Sequence, residues 1–125
     1  MFKMLVSDLM IGNWVRDSRS GMPLRVNPFI AMTEVPEWDA IPITKKMLVE
    51  NGFLLESVKY KDRYRRNFNG SKTFVIVDLD QNVIIAERDG GYELCHIERR
   101  PDLAIAVHEL QQAMYFSGIR YDFVL

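Results

Sequence analysis

Two histidines, one cysteine and scattered carboxylates are the residues here with the means for acid–base, nucleophilic or metal chemistry. Cys95 and His96 are adjacent, which invites a thiol–imidazole pair. Neighbouring side chains of a strand point to opposite faces, so the two cannot easily meet. Cys95 is expected to pack with Ile97, with His96 on the other face. His108 stands in a helical stretch beside Glu109, Gln111 and Gln112. A hydrogen bond to a neighbour is favoured there, and His108 with a nearby acid is the one enzymatic option. Two His and one Cys without ligand spacing are a poor set for zinc. Asp78-Leu79-Asp80-Gln81-Asn82 opens like a calcium loop, but Val83 occupies the sixth position, where the sharp turn needs glycine. A plain hairpin turn is expected. Glu37 and Asp39 fall in a presumed loop and are expected to be solvated. No glycine-rich phosphate loop and no G-x-S-x-G elbow occurs. The sequence therefore assigns no catalytic residue, no metal and no cofactor.

Charge is concentrated by geometry in one run, Val58-Lys59-Tyr60-Lys61-Asp62-Arg63-Tyr64-Arg65-Arg66-Asn67-Phe68. Val58, Tyr60, Tyr64 and Phe68 share one parity; Lys59, Lys61, Arg63 and Arg65 share the other. Along a strand this makes an aromatic face and a cationic face. The cations could contact phosphates, with tyrosines nearby for stacking. The tyrosines lie on the opposite parity, however, and Lys and Arg commonly protect strand edges. A solvated face is favoured, with nucleic acid or another polyanion as the alternative ligand. Trp38, between Pro36 and Pro42, is either an interface anchor or a lid folded back on the core. Trp14 lies in a strand pattern and is expected to pack.

The elements that must position these residues read as follows. Met10 to Arg16 and Leu24 to Ile30, split by Asp17-Ser18-Arg19-Ser20-Gly21, form a hairpin. Pro23 and Pro28 make its second strand short or an edge. Residues 31–42 read as irregular. Thr44 is a good N-cap and Gly52 a good C′ residue for a short helix. Ile43 and Leu48 then make a hydrophobic staple, and Leu48 and Phe53 the apolar pair of a Schellman ending. Strands near 54–68, 72–79, 83–88 and 92–98 follow, split by Asn69-Gly70, Asp80-Gln81-Asn82 and Asp89-Gly90-Gly91. Pro101-Asp102 is expected to open a last helix, closed by Gly118, with Leu103, Val107, Leu110, Met114 and Ser117 in one stripe. Ala106 and Ala113 flank that stripe. Tyr121, Phe123 and Leu125 alternate as an edge strand or a tail. The expected fold is α+β: an N-terminal β-hairpin, a short capped helix, an antiparallel β-meander, and a C-terminal helix packed on the sheet.

The chain has 125 residues, which suits one domain. Lys plus Arg total 16 and Asp plus Glu total 17, for a net charge of -1. That balance argues against a dedicated nucleic-acid binder. A lone cysteine excludes an intrachain disulfide and suits a reducing compartment. The apolar start is too short for a signal-peptide core, and no run reaches membrane-span length. A soluble, cytoplasmic protein without membrane contact is expected.

Three segments carry a resemblance. Asp8-Leu9-Met10-Ile11-Gly12-Asn13-Trp14-Val15 is similar to L-R-I-G-N-x-V. Residues Ile41 to Phe53 are similar to I-P-L-T-x-x-x-L-x-x-x-G-F, and Val107 to Phe116 to V-H-x-L-Q-x-x-Y-F. In that order they resemble a family of small proteins from gut Bacteroidetes and their phages and mobile elements. The meander is only loosely similar. Met22-Pro23 and the Trp38 loop have no counterpart, and the tail from Ile119 departs from T-G-x-E-L. The resemblance implies a fold and a phage or mobile-element setting, and supplies no activity. It marks His108, Leu110 and Gln111 as motif positions; His108 and Gln111 would then hydrogen-bond the sheet or the N-terminal hairpin. The leading functional expectation is a non-enzymatic interaction module that binds a protein partner or itself. The alternative is polyanion binding through Lys59, Lys61, Arg63 and Arg65.

Overall fold

The computed structural model describes residues 12–26, 38–57, 60–68, 72–100 and 103–125. These build two antiparallel sheets and two helices. β1 (Trp14–Asp17) lies between β2 (Pro23–Arg25) and β3 (Trp38–Asp39) in the smaller sheet. The larger sheet is a meander of β4 (Leu54–Ser57), β5 (Tyr60–Phe68), β6 (Thr73–Asp78), β7 (Val83–Arg88) and β8 (Tyr92–Glu98). The expected α+β architecture is thus present, with the C-terminal helix on the meander.

The short helix α1 (Lys45–Glu50) is fixed at both ends by local chemistry. Thr44 Oγ1 accepts the Met47 N–H at 3.2 Å. At the other end the Phe53 N–H reaches Leu48 O at 2.9 Å and the Gly52 N–H reaches Val49 O at 3.1 Å. This is the Schellman pattern, and Gly52 supplies the φ of +81° that it needs. Ile43, Leu48 and Phe53 all enter the main core. A helix this short gains its stability from that docking.

The last helix, α2 (Val107–Phe116), corrects the expected start near Pro101-Asp102. Those two residues lie outside the described ones, and Leu103 sits in a bend before the helix. Ala106 has no side chain to cap with. Its N–H is instead met by Glu109 Oε1 at 3.0 Å, and the Val107 N–H is met by Ile41 O at 2.8 Å. The rest of the stripe holds: Val107, Leu110, Ala113 and Met114 are buried against Val75, Val77, Ile84 and Ala86 of the meander. Gly118, with φ of +77°, ends α2 in a second Schellman pattern, where the Ile119 N–H bonds Met114 O at 2.9 Å.

Two further expectations change. Residues 54–68 are not one bent strand but two, β4 and β5, paired antiparallel with Leu54 opposite Arg65. No Gly, Pro or Asn stands between the two in sequence, so the alternation of residue types runs on unbroken. Trp38 and Asp39 are not loop residues: they pair with Asp17 and Arg16 of β1. Trp38 is 3% exposed, in a small core with Val15 and Val26, and Asp39 is buried as well. Of the two expectations for residues after Gly118, the tail holds and the edge strand does not. The tail packs on the core, burying Ile119 and Phe123. Phe29, Ile30, Pro28, Pro36 and Glu37 fall outside the described residues.

Candidate functional site

The cationic strand does not present four free charges. Lys59 is outside the described residues, and Lys61 is placed on β5 by its backbone alone. Arg63 and Arg65 point away from α2, as their parity requires, while Tyr64 is buried in the main core. Arg63 Nε lies 3.1 Å from Glu56 Oε2, and Arg65 Nη1 lies 4.0 Å from Glu56 Oε1. Arg65 also stacks 3.7 Å from the centroid of Phe74 and donates from Nε to Asn67 Oδ1 at 2.9 Å. One carboxylate from the neighbouring strand therefore offsets part of the charge. Arg66, on the core parity, donates to Asn51 O at 2.5 Å and lies over Phe68 and Tyr121.

His108, a buried residue of α2, is 6% exposed and does not line the cleft described below. Its neighbour Glu109 is engaged twice, by the Ala106 N–H and by Arg99, whose Nε and Nη2 both lie 2.6 Å from Oε2. Cys95 packs toward the core and His96 faces outward, as the strand parity required. Burial, followed by the charge of Glu93, pushes the Cys95 thiol above its ordinary range, which makes it a poor nucleophile. Asp78 Oδ1 accepts the N–H groups of Asp80 and Gln81 at 3.0 and 2.9 Å, so this carboxylate is spent on the hairpin turn. No group of three or more metal-ligating side chains occurs among the described residues. No helix among them is long and apolar enough to cross a membrane.

Gln111 does gain a role. Its Oε1 accepts the Trp14 N–H at 2.7 Å and its Nε2 donates to Gly12 O at 3.1 Å. The side chain thus clamps the start of β1 onto α2, as a strand neighbour would. Gln112 adds a bond to Asn13 Oδ1 at 3.0 Å. Trp14 Nε1 reaches further, to Phe123 O at 2.8 Å, and the Arg25 guanidinium lies 4.6 Å from the Trp14 ring. Arg25 also holds the tail, through Asp122 and through Phe123 O.

These clamps frame an open cleft of about 1210 Å³ between the end of α2, the start of β1 and the tail. Its walls include Arg25, Gln111, Tyr115, Phe116, Arg120 and Tyr121. Tyr115 and Phe116 are 65% and 69% exposed and meet edge to face, with centroids 5.6 Å apart. Arg120 is exposed and pairs with no carboxylate among the described residues, whereas Arg25 is matched by Asp122. The cleft is therefore aromatic at one lip and carries, in Arg120, a positive charge without a carboxylate partner among the described residues. Its described lining contains no Cys, His or Ser. Sequence reasoning missed it because three distant segments build it. The available signal was that Tyr115 and Phe116 fall off the buried stripe of their helix. No protein-family model matches this chain, and no curated protein or solved structure matches it.

Proposed function

We propose that this chain is a non-enzymatic interaction module that docks a protein partner in the cleft at the end of α2. One observation carries the reading: Tyr115 and Phe116 are both largely exposed on a helix whose opposite side is sealed into the core. Covering an apolar side chain of this size is worth about 1.5–3 kcal/mol. Aromatic residues on rigid supports are the usual anchors of interfaces. The unmatched Arg120 adds a preference for negative charge, so the partner segment has an apolar anchor flanked by Asp or Glu. A phage or mobile-element setting belongs to the same proposal and is supported by the three sequence segments. A cytoplasmic setting is supported by the single, free Cys95.

The test is selection from a displayed random-peptide library against the full chain. Acidic peptides with an aromatic or aliphatic anchor should be enriched and should lose binding to Tyr115→Ala/Phe116→Ala. No enrichment, or enrichment indifferent to that double variant, would remove the proposal. Polyanion binding through Arg63 and Arg65 keeps weaker support, since Glu56 lies against both.

A further inference from the structure

Arg25 stands in the wall of the cleft with Arg120, held by contacts of unequal strength. Its guanidinium lies 4.6 Å from the centroid of the Trp14 ring, its cross-strand partner in the smaller sheet. Its Nη2 donates to Phe123 O at 3.1 Å, and the same Nη2 bonds Asp122 Oδ1. The Phe123 contact belongs to the packed tail: Phe123 is fully buried, and Asn51 bonds both the N–H and the carbonyl of Val124. Asp122 is the loose contact. Its side chain is 75% exposed and is bonded among the described residues to Arg25 alone.

The grip of Asp122 is also incomplete. Arg25 Nε shares one edge of the guanidinium with Nη2, yet it is buried and hydrogen-bonded to nothing. A buried donor left unmet is costly. A carboxylate set squarely against that edge meets both N–H groups, the forked geometry in which arginine binds carboxylates most strongly. Asp122 meets only one of them.

We propose that Asp122 is an internal competitor for Arg25, and that the ligand of the cleft carries a second carboxylate that takes its place. An exposed ion pair contributes little, so giving up Asp122 costs little. Asp122 turns to solvent while Phe123 and Val124 keep the tail seated. The exchange gains the fork and satisfies Nε. The ligand then spans two cations, Arg120 and Arg25, beside the aromatic lip of Tyr115 and Phe116. Asp122 thereby sets selectivity: a segment with one acid finds only Arg120, and a segment with two displaces Asp122 and holds both. That the ligand is a segment of a protein partner rests on the docking reading of the cleft; the exchange at Arg25 does not.

Phenylsuccinate carries one aromatic ring and two carboxylates and is the probe. A ligand of about 14 non-hydrogen atoms and modest efficiency binds at about 1 mM. Titration of the isotope-labelled full chain is read at the Trp14 indole N–H, which bonds Phe123 O beside Arg25. Asp122→Asn should tighten binding about two- to fivefold, because the competing charge is gone while Trp14 and Phe123 O still hold Arg25. The site is exposed, so circular dichroism should show an unchanged fold. Adding Arg25→Gln should abolish the gain, with slow exchange of the Val124 amide showing that the tail is still seated. Arg25→Lys, which keeps the charge without the fork, should retain about half of the gain or less. 3-Phenylpropionate, with one carboxylate, should bind both proteins more weakly than phenylsuccinate.

No tightening in Asp122→Asn would overturn the proposal. So would a gain that survives Arg25→Gln, equal binding of the two probes, or no binding to either protein at about 50 mM. The two readings fail separately. Selected peptides that bind the cleft, with Asp122→Asn without effect on phenylsuccinate, would leave the docking reading and remove this one. A gain in Asp122→Asn with no peptide selected would do the reverse.

Discussion

The side-chain amide of Asn51 and the backbone of Val124 exchange two hydrogen bonds: Nδ2 donates to Val124 O at 2.7 Å, and Oδ1 accepts the Val124 N–H at 2.8 Å. Asn51 is the C-cap of α1 and is 1% exposed. Its amide also donates to Met47 O and accepts from the Tyr121 hydroxyl, each at 2.8 Å. One buried side chain thus serves a helix end and the C-terminal tail together. The tail forms a wall of the cleft, so Asn51 supports that wall from behind.

Asn51→Ala should therefore cost about 2–3 kcal/mol, since several groups lose partners at once. Urea unfolding should show the lower midpoint, and carboxypeptidase should trim the tail faster. Asn51→Asp keeps the acceptor for Tyr121 and Val124 and loses the donor, so it should fall between.

Gln111→Ala should release the start of β1. The Trp14 amide should exchange with deuterium markedly faster, while the amides of β6 and β7 should keep their protection. The stability loss should be about 1–2 kcal/mol. Gln111→Glu retains the acceptor for the Trp14 N–H and sets a carboxylate against Gly12 O, so it should only partly restore protection.

Gly52→Ala should destabilise α1. The residue holds φ of +81°, and a Cβ there would lie 3.2 Å from Arg66 Nη1. The conformational term alone is about 1 kcal/mol, and displacing Arg66 from Asn51 O adds to it. A thermal melt should show the loss, whereas Gly21→Ala, also at positive φ but with open space around it, should cost less.

Cys95 should alkylate slowly in the native protein. Burial raises its pKa above the ordinary 9.0, so at any given pH near that value less thiolate is present than in the unfolded chain. The sign follows by linkage: the folded state holds this proton more tightly, so its contribution to stability is present below about 9 and is lost as the pH rises through the raised value. Iodoacetamide labelling at rising pH, with and without urea, should show the native rate lagging.

Short-range signals made much of the fold legible. Thr44, Gly52 and the Ile43, Leu48 and Phe53 triplet framed α1 because caps act over a few residues. The turns at Asp80-Gln81-Asn82 and Asp89-Gly90-Gly91 set the register of β6 to β8 in the same way. The start of α2 was hidden because Leu103 extends the 4-3-4 stripe backwards and Ala106 gives no capping signal; Glu109 and Ile41 satisfy those N–H groups from elsewhere. β3 was hidden because two residues between prolines pair only with a strand over twenty residues away. Of the site residues, Gln111 was marked and proved to be a clamp, Trp38 proved to be buried, and Arg63 and Arg65 share a face with the Glu56 that offsets them. The cleft was illegible because its frame consists of long-range bonds from Asn51, Arg25 and Gln111.

Chemical-shift mapping of the isotope-labelled full chain with a library-selected peptide tests the central claim most directly. Shifts that change on titration should cluster at Gly12, Gln111 and Tyr115 through Asp122, and should vanish in Tyr115→Ala/Phe116→Ala. Shifts centred instead on Arg63, Arg65 and the outer sheet face, with the end of α2 unmoved, would contradict it.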